Sequence, residues 1–285
     1  ISNKFKRENN LDFSSENIVV SPGAKLSVAN VLLSILDRED EILIPAPFWV
    51  SYTGIVNLVG AKEVIIPTSI DNDFKLLPED LEKNINNNTK AIVFSSPCNP
   101  TGTIYNKKDL ENLVLVLKEY PDIIIISDEI YEHIIFDEEH ISIGTFNELK
   151  DRVVVVNGVS KGYAMTGWRI GYIGAPSIIA SACEKIQGQL TSGACAIAQK
   201  AAIEALNGTM SPTNEMCIAF KRRKDLMISY LKKIPGLKTN EPKGAFYIFP
   251  DVSHFFGLNY KDYFISNAEE LCKYLLLEAE VGVVG

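Results

Sequence analysis

The chain has 285 residues and a formal net charge of -8, with 46% hydrophobic and 22% charged residues. That length supports one large domain plus a smaller one, in an ordinary globular composition. The acidic balance argues against nucleic acid, which selects a basic face, although a local basic pocket can still hold a small anion. Cys98, Cys183, Cys195, Cys217 and Cys272 form no C-x-x-C pair and read as free thiols of a reducing, cytoplasmic compartment. His133, His140 and His254 lack metal-ligand spacing, so no zinc site is expected. The longest apolar runs, such as Ile123 to Ile126, are too short to span a membrane, and the start does not resemble a signal peptide.

In chain order, Ile18 to Val20 reads as a strand, and Ser21-Pro22-Gly23-Ala24-Lys25 opens a helix over Ala24 to Leu36. Glu41 to Ile44 and Glu63 to Ile66 read as short buried strands, and Asn86-Asn87-Asn88 as a loop. Ala91 to Ser95, Ile123 to Ser127 and Val153 to Asn157 are stronger strands, because β-branched residues dominate them. A helix over Lys107 to Tyr120 is closed by Pro121. A long helix is expected over Pro212 to Ile234, then short strands in Gly244 to Pro250 and a helix near Ala268 to Glu280. Alternating strands and helices predict an α/β fold: a mostly parallel sheet sandwiched by helices, with a smaller α+β domain. The boundary is expected near residue 230, giving a large domain over 1–230 and part of a small one over 231–285.

Ligands of such sheets sit at the carboxyl ends of the strands, and five strand ends carry residues of interest. Lys161 lies just past the Val153 to Asn157 strand, in Gly158-Val159-Ser160-Lys161-Gly162. Partial desolvation there would make its amine nucleophilic, as pyridoxal phosphate requires for its Schiff base; the alternative is a solvated loop lysine. Arg169, eight residues on, could return to pair with a phosphate. Asp128, at the end of the Ile123 to Ser127 strand, is costly to bury without a partner. A protonated pyridine nitrogen would be one, and a helix cap is the alternative. Tyr131 could bring its hydroxyl to the same ring or simply be a half-buried aromatic. Asn99 stands between Pro97 and Pro100, stiffly aimed or part of an ordinary turn. The small residues before Ala24 would expose N–H groups to an anion, or form a simple helix start. Trp49 could stack on a flat ring or serve packing.

The stretches SPGAK, PAPFWVSY, SSPCNPTG, SDEIYEHI and NGVSKGYAMTGWRIGY resemble the class-I aminotransferases of the aspartate aminotransferase family, and the likeness runs from Phe5 to Val284. The resemblance implies fold-type I, pyridoxal 5'-phosphate as cofactor, and a homodimer. The implied reaction moves an amino group from an L-amino acid, aspartate or glutamate first, to a 2-oxo acid. It implies that Lys161 holds the cofactor and moves the proton at the substrate α-carbon. Asp128 would pair with the ring nitrogen, Tyr131 and Asn99 would bond the ring 3-oxygen, and Trp49 would stack on the ring. Arg169 would bind the phosphate with the backbone of Gly23, Ala24 and Lys25, and Ser160 completes the cofactor set. Trp49 and Asn99 would also face substrate, with Asn99 touching its carboxylate and Lys25 near a distal one. Ala46-Pro47 and Asn99-Pro100 would be cis. Family members also carry an N-terminal arm and a late arginine that grips the α-carboxylate. This chain has no arginine after Arg223, so both ends are expected to be cut away and residues 1–285 to transaminate poorly. A carbon–sulfur β-lyase using the same cofactor is one alternative, and an aminotransferase-like regulatory domain is another.

Overall fold

The structure, a computed structural model, describes all 285 residues. Seven strands form the central sheet: β1 (Ile18–Ser21), β2 (Glu41–Ala46), β3 (Lys62–Pro67), β4 (Thr89–Ser95), β5 (Ile124–Asp128), β6 (Val153–Gly158) and β7 (Gly171–Gly174). Their spatial order is β1-β7-β6-β5-β4-β2-β3. Pairing is parallel from β3 through β6, while β7 runs antiparallel to both β6 and β1. The strands expected for this sheet are therefore present: β5 has the expected length but is shifted one residue later, and the others extend at least one residue beyond the expected bounds.

Strand periodicity sends alternate residues to opposite faces, and two separate cores result. Ile92 and Phe94 of β4, Ile125 of β5 and Val153 and Val155 of β6 face one core. There they meet Phe5 of α1 (Ser2–Asn9), Leu110 and Leu113 of a later helix, and Ala198 and Ala202 of another. Ala91, Val93, Ile126, Val154 and Val156 face the second, against Val28 and Leu32 of α2 (Ala24–Ile35) and Tyr52 and Val56 of α3 (Ser51–Val59). Residues apolar on both sides explain why these strands read as unbroken β-branched runs. The remaining helices are α4 (Pro78–Asn84), α5 (Lys107–Leu117), α6 (Ser177–Leu190), α7 (Ala196–Asn207), α8 (Ser211–Leu231) and α9 (Ala268–Ala279). Helix α5 stops three residues before Tyr120: Tyr120 N–H bonds Leu117 O in a closing turn, since the residue before Pro121 is steered away from helical backbone.

Two short sheets follow α8: β8 (Lys238–Thr239) pairs with β9 (Pro250–Asp251), and β10 (Leu258–Tyr260) with β11 (Tyr263–Ile265). The strands expected over Gly244 to Pro250 do not form as such. Gly244 makes only an isolated bridge to Ile135, and Ala245, at φ 57, turns the chain inward. The reason is packing. Phe246 and Tyr247 leave the ladder to meet Tyr131, while Ala245 N–H bonds Ile134 O. A third small core of Ile130, Tyr131, Ile134, Phe136 and Ala245 joins this segment to α8 through Phe220. No helix is long and apolar enough to cross a membrane.

Candidate cofactor site

The carboxyl ends of β5 and β6 lie side by side, Asp128 opposite Val156. Asp128 is 4% exposed and makes no ion pair. Its Oδ2 accepts from the Tyr52 hydroxyl at 2.7 Å, and its Oδ1 accepts a longer 3.3 Å bond from Ile130 N–H. Burial pushes its carboxyl up to about 6 against the pull of those two donors, with Glu129 adding repulsion and Lys161 opposing. A buried carboxylate that costly to ionise is one a bound cation would stabilise.

Lys161 sits three residues past β6 on an excursion pinned at its neck, where Val159 N–H bonds Ile170 O. The neck is tight: a Cβ on Gly158 would lie 2.7 Å from Ile170 O. The lysine Nζ lies 5.4 Å from the ring centres of both Tyr131 and Phe246. Partial burial lowers its ammonium from the ordinary range, Asp128 opposes that, and Arg169 adds to it. Ser160 beside it is buried. Tyr131 is 2% exposed, and its hydroxyl lies 2.5 Å from that of Tyr247.

Arg169 adopts the left-handed conformation at φ 55. Its Nη1 donates to Thr166 O at 2.8 Å and its Nη2 to Pro22 O at 3.5 Å. The guanidinium therefore lies directly over Gly23, where a Cβ would stand 2.1 Å from Nη2. Behind it, a Cβ on Gly171 would lie 2.2 Å from Ala24 N. Two glycines thus let a guanidinium and the start of α2 meet. Gly23, the N-cap, has φ 93 and no side chain to occupy the first N–H groups of the helix. Uncapped N–H groups, a helix dipole and an arginine form an anion cradle that a single methyl group would fill.

Trp49 follows β2 and is half-buried, edge-on to Tyr52 at 5.5 Å, with Lys25 Nζ 5.1 Å from its ring centre. Asn99 is also half-buried, in a loop closed by Cys98 N–H to Thr103 O. Both Ala46-Pro47 and Asn99-Pro100 are cis, and so is Ser96-Pro97, which the sequence did not signal. The strand ends thus bring together a basic amine, a buried carboxylate, aromatic walls and an anion cradle. That donor set fits pyridoxal phosphate, with its cationic ring nitrogen, flat ring, aldehyde and phosphate.

Sequence reasoning missed three side chains. Tyr52 lies inside the PAPFWVSY stretch, so its signal was present but unread. Phe246 and Tyr247 reach the site from more than a hundred residues away, and nothing local marks them. The charged residues flanking Tyr131 form a buried network. Glu132 pairs with Lys4, accepts Asn9 Nδ2 at 2.5 Å and Asn157 Nδ2 at 2.7 Å. Glu129 meets His140 Nε2 at 3.0 Å and the hydroxyls of Ser127 and Ser142. His133 and His140 each gather beside two carboxylates. An ammonium and two amides already fill the oxygens of Glu132, so the cluster is a neutralised hydrogen-bond network.

The whole chain, residues 1–285, matches the family model for aminotransferase class I and II. It is 44% identical to a bifunctional aspartate aminotransferase and glutamate/aspartate-prephenate aminotransferase of Petunia hybrida, over all of this chain and 60% of that protein. It is equally identical to a probable aspartate/prephenate aminotransferase of Rickettsia typhi, over all of this chain and 72% of that protein. Among solved structures, the aspartate aminotransferase of Rhizobium meliloti superposes with a TM-score of 0.96 at 38% identity, covering 99% of this chain and 72% of that one. An aromatic aminotransferase of Pyrococcus horikoshii gives 0.92 at 38% identity, covering 99% and 74%. The chain spans three fifths to three quarters of these relatives' lengths, and it belongs to the class I and II aminotransferase family.

Proposed function

We propose that this chain carries the catalytic centre of a pyridoxal-phosphate-dependent transaminase that moves an amino group from aspartate or glutamate to a 2-oxo acid. The carrying observation is Lys161, partly buried against the paired Tyr131 and Phe246 rings and under the charges of the buried Asp128 and of Arg169, whose guanidinium lies over Gly23. When bound, pyridoxal phosphate supplies a ring that takes up the electron pair released at the substrate α-carbon. Lys161 would anchor the cofactor, and its amine would be the base that removes the α-proton. Its lowered basicity favours that role, because a neutral amine is needed. Asp128 would hold the ring nitrogen protonated. Tyr131 and Asn99 would hold the ring oxygen, Trp49 its face, and Arg169 with the Gly23–Lys25 backbone the phosphate. The names of the relatives support aspartate as donor, and Lys25, with its Nζ 5.1 Å from the Trp49 ring centre, is the cation this reading assigns to a distal carboxylate. A homodimer and a large domain over residues 1–230 belong to the same reading.

The test is a product assay with pyridoxal phosphate, aspartate and 2-oxoglutarate. Stoichiometric oxaloacetate and glutamate support transamination. Ammonia and thiol from a cysteine-type substrate, with no glutamate, would instead establish a β-lyase.

A further inference from the structure

Tyr52 has no part in the reading above, yet it makes the shortest contact Asp128 has. It stands in the first turn of α3, 1% exposed, in a core of Val28, Val31, Ile55 and Val93. Its hydroxyl reaches Asp128 Oδ2 at 2.7 Å. Burial first, then the adjacent Asp128 charge, hold the phenol far above its ordinary range, so it stays a neutral donor at any working pH. The other titratable groups facing Asp128 are Glu129 on its own strand end, Lys161 from the β6 excursion, Cys98 from the loop after β4, and Tyr131. Burial pushes the Cys98 thiol up, so it is uncharged as well. Tyr52 is thus the only side chain donating to this carboxylate, and Oδ1, with one long backbone contact, keeps acceptor capacity for a ligand.

We propose that Tyr52 is the positioning residue of Asp128: by donating to Oδ2 it keeps the shared proton on a ring nitrogen docked at Oδ1, and off the carboxylate. The proposal rests on the cofactor reading above. The physical reason is that a hydrogen bond to the ionised form of an acid favours that form, most strongly where water is excluded. No bond other than the N–H or O–H of that proton is made or broken: it sits on nitrogen with Asp128 ionised, or on Asp128 with the nitrogen neutral. Removing the donor should move this equilibrium toward the carboxyl by about tenfold to a hundredfold, the usual worth of a bond to a charged group.

The experiment reads the proton directly, by 15N NMR of holoenzyme reconstituted with pyridoxal phosphate labelled at the ring nitrogen. Wild type is expected to give a protonated-nitrogen shift near neutral pH. Tyr52→Phe should bind cofactor at Lys161 yet move that shift well toward the unprotonated limit, and Asp128→Asn should reach that limit. An unchanged shift in Tyr52→Phe, with Asp128→Asn behaving as expected, overturns the role of Tyr52 alone. A protonated nitrogen in Asp128→Asn overturns the cofactor reading and this proposal together. Should Tyr52→Phe not fold, wild type grown with 13Cζ-tyrosine decides. Its Tyr52 signal is expected to move when cofactor docks on Asp128, and a signal indifferent to cofactor rejects the proposal.

Discussion

Gly23→Ala is a small change with a calculable consequence. Gly23 has φ 93 and ψ 154, a region that only glycine occupies readily. An alanine there costs about 1–3 kcal/mol of backbone strain, which lowers Tm by roughly 2–4 °C per kcal/mol in a chain of this size. Its methyl group would also stand 2.1 Å from Arg169 Nη2. That atom is the end of a flexible side chain, so the guanidinium swings out and the fold survives. What is lost is the arginine's place in the anion cradle. A charge-assisted bond to phosphate is worth about 1.5–3 kcal/mol, so the Kd for pyridoxal phosphate should rise about 10- to 150-fold. Pyridoxal, which lacks the phosphate, should bind variant and wild type alike. Fluorescence titration with both ligands measures this. A folded Gly23→Ala protein that binds pyridoxal phosphate as tightly as wild type would show that Arg169 and the start of α2 do not hold the phosphate.

Three further expectations follow from the buried charges. Asp128→Ala should keep bound cofactor but lose about 2–4 kcal/mol of transition-state stabilisation, read as a fall in kcat with little change in KM. In cofactor-free protein the carboxyl of Asp128 is raised to about 6. The folded state therefore binds its proton more tightly than the unfolded chain, and stability is lost as pH rises from about 4 through 6. Asp128→Asn should consequently be more stable than wild type at pH 7, by up to about 3 kcal/mol, and no more stable below pH 4. Denaturant midpoints at the two pH values decide it. Lys4→Met strips Glu132 of its ammonium. Burial alone would raise that carboxyl, but Lys4 and the two histidines hold it down at about 2. Leaving it unpaired should cost about 3–5 kcal/mol, and denaturant unfolding near pH 7 should show it.

The layered sheet was legible because β4, β5 and β6 are buried on both faces, and double burial writes unbroken β-branched runs. The strand-end residues Lys161, Asp128 and Asn99 were legible because each directly follows such a run. Strand β7 was not: Gly171-Tyr172-Ile173-Gly174 is short, and its glycines serve close approach to α2 and to Phe13. The segment around Phe246 reads as strand by composition, yet its aromatics are recruited to Tyr131 by a tertiary contact that overrides local preference. Tyr52 was not legible as a site residue, because its ring packs into an apolar core. Only the register of α3 against β5 turns its hydroxyl onto Asp128.

The central claim is that Lys161 is the residue that binds pyridoxal phosphate covalently. Reconstituted protein reduced with borohydride, digested and mapped by mass spectrometry tests it most directly. Reduced cofactor is expected on the peptide carrying Lys161 alone, with no label in Lys161→Ala. Label on any other lysine, or undiminished label in Lys161→Ala, would contradict it.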